Sequence, residues 1–188
     1  MAVARRELLL VGDAHGVHAS REPAVLYELA HALGARALAL EWSHDQVGEI
    51  VRRFMRTGTF DLEAVWALPA GAEAFSGDGR FTAGHVALLE RLHREGTLEQ
   101  VILIDRLDPD PLPPAEARDR DMAERLLAEW DRALPLLAVV GAGHVASIAA
   151  LIGATETAML DYRADVELPP AALTFAVPHG PPAVVPGR

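Results

Sequence analysis

Short apolar runs alternate with helical periodicity along almost the whole chain, and that alternation leaves few folds open. The runs fall at Leu8–Val11, Ala37–Leu40, Val101–Ile104, Leu136–Val140 and Ala158–Leu160, each bounded by charge or glycine. Such short, bounded runs are the pattern of strands buried on both faces. Between them, apolar residues recur every three to four positions. Leu26, Leu29, Ala30 and Leu33 do so ahead of Gly34. Val47, Ile50, Val51, Phe54 and Met55 do so ahead of Gly58, with Ser43 and Gln46 spaced as a capping box. Val86, Leu89 and Leu92 predict a third helix, Ala123, Leu126, Leu127, Trp130 and Leu134 a fourth, and Val145, Ile148, Ala149 and Ile152 a short fifth. Strands alternating with helices imply right-handed crossovers. The expected fold is a single α/β domain, with a mostly parallel sheet of about five strands and helices on both faces. Its active cleft is expected at the C-terminal ends of the strands.

Two stretches break the rhythm. Residues 58–82 carry Gly71, Gly77 and Gly79 with little periodicity beyond a helical turn at Leu62–Leu68, and read as a candidate lid. The part after Asp165 holds six of the 13 prolines, so the domain is expected to span 1–165, with a Pro-rich tail at 166–188 and an edge strand at Leu173–Val177.

Composition narrows the function classes. The 188 residues suffice for one self-supporting core, since a chain of this size buries roughly 70% of its unfolded surface. With 27 acidic against 17 basic side chains the net charge is −10. Nucleic acid and anionic membrane surfaces are therefore unsuited partners, because both recruit clustered Lys and Arg. There is no cysteine, which excludes a disulfide scaffold, a thiolate metal site and a thiol nucleophile. A metal would have to sit on His, Asp and Glu. The run Leu8–Val11 is too short for a signal-peptide core or a membrane span, so a cytoplasmic protein is expected.

The chemistry collects where the strands end. After the first run come Gly12, Asp13, Ala14, His15 and Gly16; after the second, Glu41 and Trp42; after the third, Asp105 and Arg106; after the fourth, Gly141, Ala142, Gly143 and His144; after the fifth, Asp161. Two of these ends are Gly-x-x-His turns, and glycine lets the backbone turn tightly beside a ligand. Asp105 and Asp161 taken singly read as chain leaving the core. Glu41 differs: it follows a buried run and precedes Trp42, and a carboxylate there needs a partner. Two imidazoles and a carboxylate can activate water by general acid/base catalysis, or bind a divalent ion through His15, Glu41 and His144. Asp13, His15 and His18 form a weaker, partial ligand set. AGHVA occurs at both 83–87 and 142–146, and His85 in the first copy reads as a minor candidate from a mobile loop. His31, His44, His93 and His179 read as solvated, and the charge run Glu116–Arg125 as an exposed helix face.

A second pattern overlaps the fourth strand. Leu136–Gly153 reads as strand, G-x-G-x-x-A and helix, with Asp161 placed as a ribose acid, which is the dinucleotide fingerprint. Only 27 residues follow Asp161, too few for the rest of a nucleotide-binding half.

The segment VGDAHGVHASREPAVLYELAHALGARALALEW resembles the opening of the erythromycin esterase/ChaN-like superfamily, which includes the TIKI and TraB proteins. Two later pieces agree. ARDRDMAERLL (Ala117–Leu127) is similar to the family's Arg-Asp-x-x-Met-Ala helix, and VVGAGHV (Val139–Val145) to its second Gly-x-x-His turn. The likeness covers residues 7–57 and 115–150, in the family's order. It implies a cleft built from His15, Glu41 and His144, with Asp13 in place of the more usual Glu and Arg118 nearby on the fourth helix. The esterase branch uses such groups to activate water against an ester, the TIKI-like branch is a metal-dependent peptidase, and the ChaN branch binds haem. The expected activity is hydrolysis of an ester or amide in a small-molecule or peptide substrate, with Mn, Co or Zn as the metal if one binds. The alternatives are a non-catalytic haem or tetrapyrrole binder, with Tyr27 and Tyr162 as the phenols available, and a dinucleotide binder.

Overall fold

A computed structural model of the chain describes residues 8–13, 22–68, 80–106, 114–154 and 157–159. Five strands, β1 (Leu8–Asp13), β2 (Ala37–Ser43), β3 (Gln100–Asp105), β4 (Leu136–Gly141) and β5 (Thr157–Met159), form one sheet in the order β3-β2-β4-β1-β5, and every pairing is parallel. The α/β expectation holds, and each apolar run lies in its strand to within a residue or two, except that Leu160 lies outside the described residues. The expected edge strand at Leu173–Val177 also lies outside them.

The sheet is covered on both faces because consecutive side chains of a strand point in opposite directions. Val11, Leu38, Leu40, Trp42, Leu103, Leu137 and Val139 pack on one face beneath α1 (Glu22–Leu33), α2 (His44–Thr57), α3 (Leu62–Trp66) and α4 (Ala83–Arg94). Their sequence neighbours Leu10, Ala37, Ala39, Ile102, Ile104, Leu136, Ala138 and Val140 pack on the other, beneath α5 (Ala115–Glu129) and α6 (Val145–Ile152). The small Ala37, Ala39 and Ala138 on this second face leave room for Met122 and Leu126 of α5 and for Trp130 at its C-cap.

Helix ends follow the local chemistry in most places. Thr82 caps α4 by accepting from His85 N–H, and Asp61 caps α3 by accepting from Ala64 N–H. Gly58 closes α2 at φ +74, a left-handed conformation that strains any residue with a Cβ. Ser43 departs from expectation. It occupies the N-cap of α2, but its side chain caps nothing, and its hydroxyl oxygen is buried without a hydrogen-bond partner. The strand runs directly into the helix here, so Ser43 keeps strand pairing with Asp105.

Register sets the level of the site. β4 lies between β1 and β2, with Leu136 opposite both Leu8 and Ala37, so the C-terminal ends of all three strands reach the same edge. Between the pairs Leu40–Leu103 and Ser43–Asp105, β2 places Glu41 and Trp42 against Ile104 alone. This bulge sits where β2 leaves the core, and bulges at such places re-aim side chains. The edge strand β3 is blunted by side chains: Arg125 Nε donates to Leu103 O (2.7 Å) and His44 Nδ1 to Asp105 O (2.6 Å). Among the described residues no helix is long and apolar enough to cross a membrane.

Candidate active site

Four carboxylates gather at the strand ends and beside them. Asp13 ends β1, Glu41 and Asp105 lie at the ends of β2 and β3, and Asp119 sits in the second turn of α5; all four are 6% exposed or less. Burying an ionised carboxylate without compensation costs several kcal/mol, so each must find donors.

Glu41 is held on both oxygens. Oε2 accepts from the Gly141 N–H at 2.6 Å across the β2–β4 boundary, and Oε1 accepts from Arg118 Nη2 at 2.9 Å. The same Arg118 grips Asp105 with a fork, Nη2 to Oδ2 at 2.6 Å and Nε to Oδ1 at 3.2 Å. One guanidinium from α5 therefore ties the ends of β2 and β3 together, and only arginine presents donors in a plane with that reach. Arg80 lies against the same pair, with Nη1 3.5 Å from both Glu41 Oε1 and Asp105 Oδ2. Arg80 is fixed from behind: Trp42 Nε1 donates to its carbonyl at 2.5 Å, and Trp42 packs on Phe81 with ring centroids 4.1 Å apart.

His144 stands on the far side of Glu41. A 3-10 turn at Ala142–His144 follows β4 directly and precedes α6, so the imidazole lies just past the strand end. Its Nδ1 is 2.5 Å from Asp119 Oδ1, and its Nε2 is 3.9 Å from Glu41 Oε1. The latter distance is too long for a hydrogen bond, yet short enough for one oxygen atom to contact both groups.

Of the residues singled out from the sequence, the structure brings Glu41, Arg118 and His144 together, and it places Asp13 at the same sheet edge, opposite Gly141 in register. His15 and His18 lie outside the described residues, as do residues 69–79 of the candidate lid, Asp161 and Tyr162. The described flanks of that lid, Phe60, Val65 and Phe81, are buried in the first core.

Several expectations are corrected. The run Glu116–Arg125 is not simply an exposed face, since Asp119 and Met122 are buried and Arg118 enters the site. His85 lies in the first turn of α4, 2% exposed, with Nδ1 2.8 Å from Thr82 Oγ1. His44 is bound to Asp105 O, and His93 Nε2 lies 3.2 Å from Met55 O. Sequence reasoning missed Asp119 and Arg80 as site residues, and Asp105, read as chain leaving the core, is instead buried and held by the Arg118 fork. The periodicity of the charge run carried no signal for Asp119, and Arg80 had none.

His15, one of the three expected metal ligands, lies outside the described residues. Both oxygens of Glu41 are engaged, one by a guanidinium that a cation would have to displace, and among the described residues no group of three His, Asp or Glu is arranged around a common point. Tyr27, one of the two phenols, lies on α1 and donates to Glu95 Oε1 at 3.0 Å. Burial, and then the neighbouring Glu95, raise its pKa.

No family model, curated protein or solved structure matches this chain.

Proposed function

We propose that this protein is a small hydrolase of the erythromycin esterase/ChaN/TIKI-like kind, in which a crevice of histidine and glutamate activates water against an ester or amide. The observation that carries this reading is the 3.9 Å spacing between His144 Nε2 and Glu41 Oε1, with Glu41 anchored on Gly141 N–H and Arg118. A water touching both atoms is oriented by the carboxylate and within proton-transfer reach of the imidazole. The Arg118 and Arg80 guanidiniums, 20% and 27% exposed, lie beside Glu41 and offer positive charge where the carbonyl oxygen becomes anionic. His15, from the first Gly-x-x-His turn, belongs to the same crevice in this reading.

The dinucleotide reading has less support. The Gly141 amide that would face a phosphate is taken by a carboxylate. No described group supports the haem reading, since Tyr27 is hydrogen-bonded to Glu95.

The test is hydrolysis of a panel of p-nitrophenyl esters and peptide anilides, with chelator and with added Mn²⁺, Co²⁺ or Zn²⁺. The wild type is expected to turn over at least one ester in chelator, and Glu41→Gln to lose most of that rate. Equal rates in wild type and Glu41→Gln would overturn the proposed site. Turnover that appears only with metal would favour the metallopeptidase-like branch.

A further inference from the structure

The two nitrogens of His144 face different surroundings. Nδ1 meets Asp119 Oδ1 at 2.5 Å, and Asp119 is 5% exposed on a helix of the second face. Nε2 looks toward Glu41 across 3.9 Å. Ionised Asp119 can only accept, so Nδ1 must carry the proton, and in the neutral ring the lone pair is left on Nε2. Asp119 thereby fixes the imidazole both in orientation and in tautomer.

We infer that Asp119 is the positioning residue that orients His144 and makes it a proton acceptor of the crevice. This rests on the hydrolase reading. In the forward step the water oxygen bonds to the ester carbonyl carbon, and its proton passes to Nε2. The imidazolium so formed lies between Asp119 and Glu41, one carboxylate at each nitrogen. When the tetrahedral species collapses, the bond to the leaving oxygen breaks and Nε2 returns the proton to it, giving an acid and an alcohol. Glu41, held on its two oxygens by Arg118 and Gly141 N–H, orients the water in this reading while His144 takes its proton. Arg118, being always charged, cannot be an acceptor at all.

The experiment has two arms. Long-range ¹H–¹⁵N correlation spectra of the full chain report the His144 tautomer without any substrate. The wild type is expected to show the Nδ1–H form with a downfield, slowly exchanging proton, assigned by its loss in His144→Gln. Asp119→Asn keeps size and shape, removes the charge and is expected to lose that signal. On whichever ester the wild type hydrolyses, Asp119→Asn should lower kcat on the order of 10³-fold, with KM changed by no more than about threefold. A packing role alone moves neither the tautomer nor this split. An Nε2–H tautomer in the wild type, which needs no variant to fold, or full kcat in Asp119→Asn, would overturn the assignment while leaving hydrolysis itself standing. If the wild type hydrolyses nothing in the panel, the hydrolase reading falls, and the acceptor role of His144 falls with it.

Discussion

Arg118 and Asp119 are consecutive on α5 and hold opposite halves of the crevice: Arg118 pairs with Glu41 on β2, and Asp119 with His144 beyond β4. Neighbours on a helix point about 100° apart, so one turn can serve two strands at once. The site is organised by a helix that contributes no strand-end residue of its own.

Removing Arg118 takes the fork from Asp105 and one donor from Glu41, leaving Arg80 3.5 Å from both buried carboxylates. Arg118→Ala is expected to cost about 3 kcal/mol, the scale for breaking a buried pair from one side. Arg118→Lys should recover only part of it, because an ammonium cannot reproduce the fork on Asp105. Urea midpoints at neutral pH check this, and an Arg118→Ala loss below about 0.5 kcal/mol would mean that water already compensates the acids.

Ser43→Ala separates a capping serine from one that only occupies the position. A working N-cap lost to alanine costs about 1 kcal/mol. Here the hydroxyl oxygen is buried and unpaired, so the substitution is expected to be neutral or stabilising. A thermal midpoint lowered by several degrees would show that the hydroxyl has a partner in solution.

Two glycines should respond in opposite ways to alanine. At Gly58 the left-handed φ of +74 and a new Cβ 3.0 Å from His93 Nδ1 predict a loss of about 1–2 kcal/mol. At exposed Gly143 the added methyl meets nothing within 4 Å, and stability and turnover are expected to stay at wild-type level. A Gly143→Ala protein that has lost activity would revive the fingerprint reading of the β4–α6 turn.

Acid should act through the clasp between α1 and α4. Burial opposes ionisation of Glu95, but donors from Arg91, Tyr27 and His31 outweigh it, so its folded pKa lies below the ordinary value. A lowered carboxylate pKa contributes stability that is full above the unfolded value, about 4.3, and is lost as pH falls through the folded one. The stability difference between wild type and Glu95→Gln should therefore shrink below about pH 4. Tyr27 works in the other direction at the alkaline end. Its raised pKa gives a contribution present below about pH 10 and lost as pH rises through the folded value. Denaturant melts from pH 3 to 11 on wild type, Glu95→Gln and Tyr27→Phe read both limbs; a constant offset between the proteins would dismiss the linkage.

The strands, the helices and the sheet edge that carries the chemistry were legible because each is written in local periodicity. The run Ala37–Leu40 marks β2, and whatever follows it had to lie at the crevice, so Glu41 could be named from its neighbours alone. Asp119 could not. On a helix rich in charge, the residues that face inward are decided by which strand end lies opposite, and that depends on β4 inserting between β1 and β2. Arg80 escaped for a similar reason: its place is set by the Trp42 indole and the Phe81 ring, across 38 residues of sequence. The idle cap at Ser43 shows the reverse, a local motif overridden because the residue still belongs to the strand.

That insertion of β4 also dictates when the molecule can exist. Among the described residues β1 pairs only with β4 and β5, although it precedes both in the chain. On the ribosome it must wait, apolar and unpaired, until β4 has been synthesised. The crevice, which needs Gly141 against Glu41, closes only then. A nascent or truncated chain ending before β4 has neither sheet centre nor site, and should be a client for chaperones rather than a smaller working version of the protein.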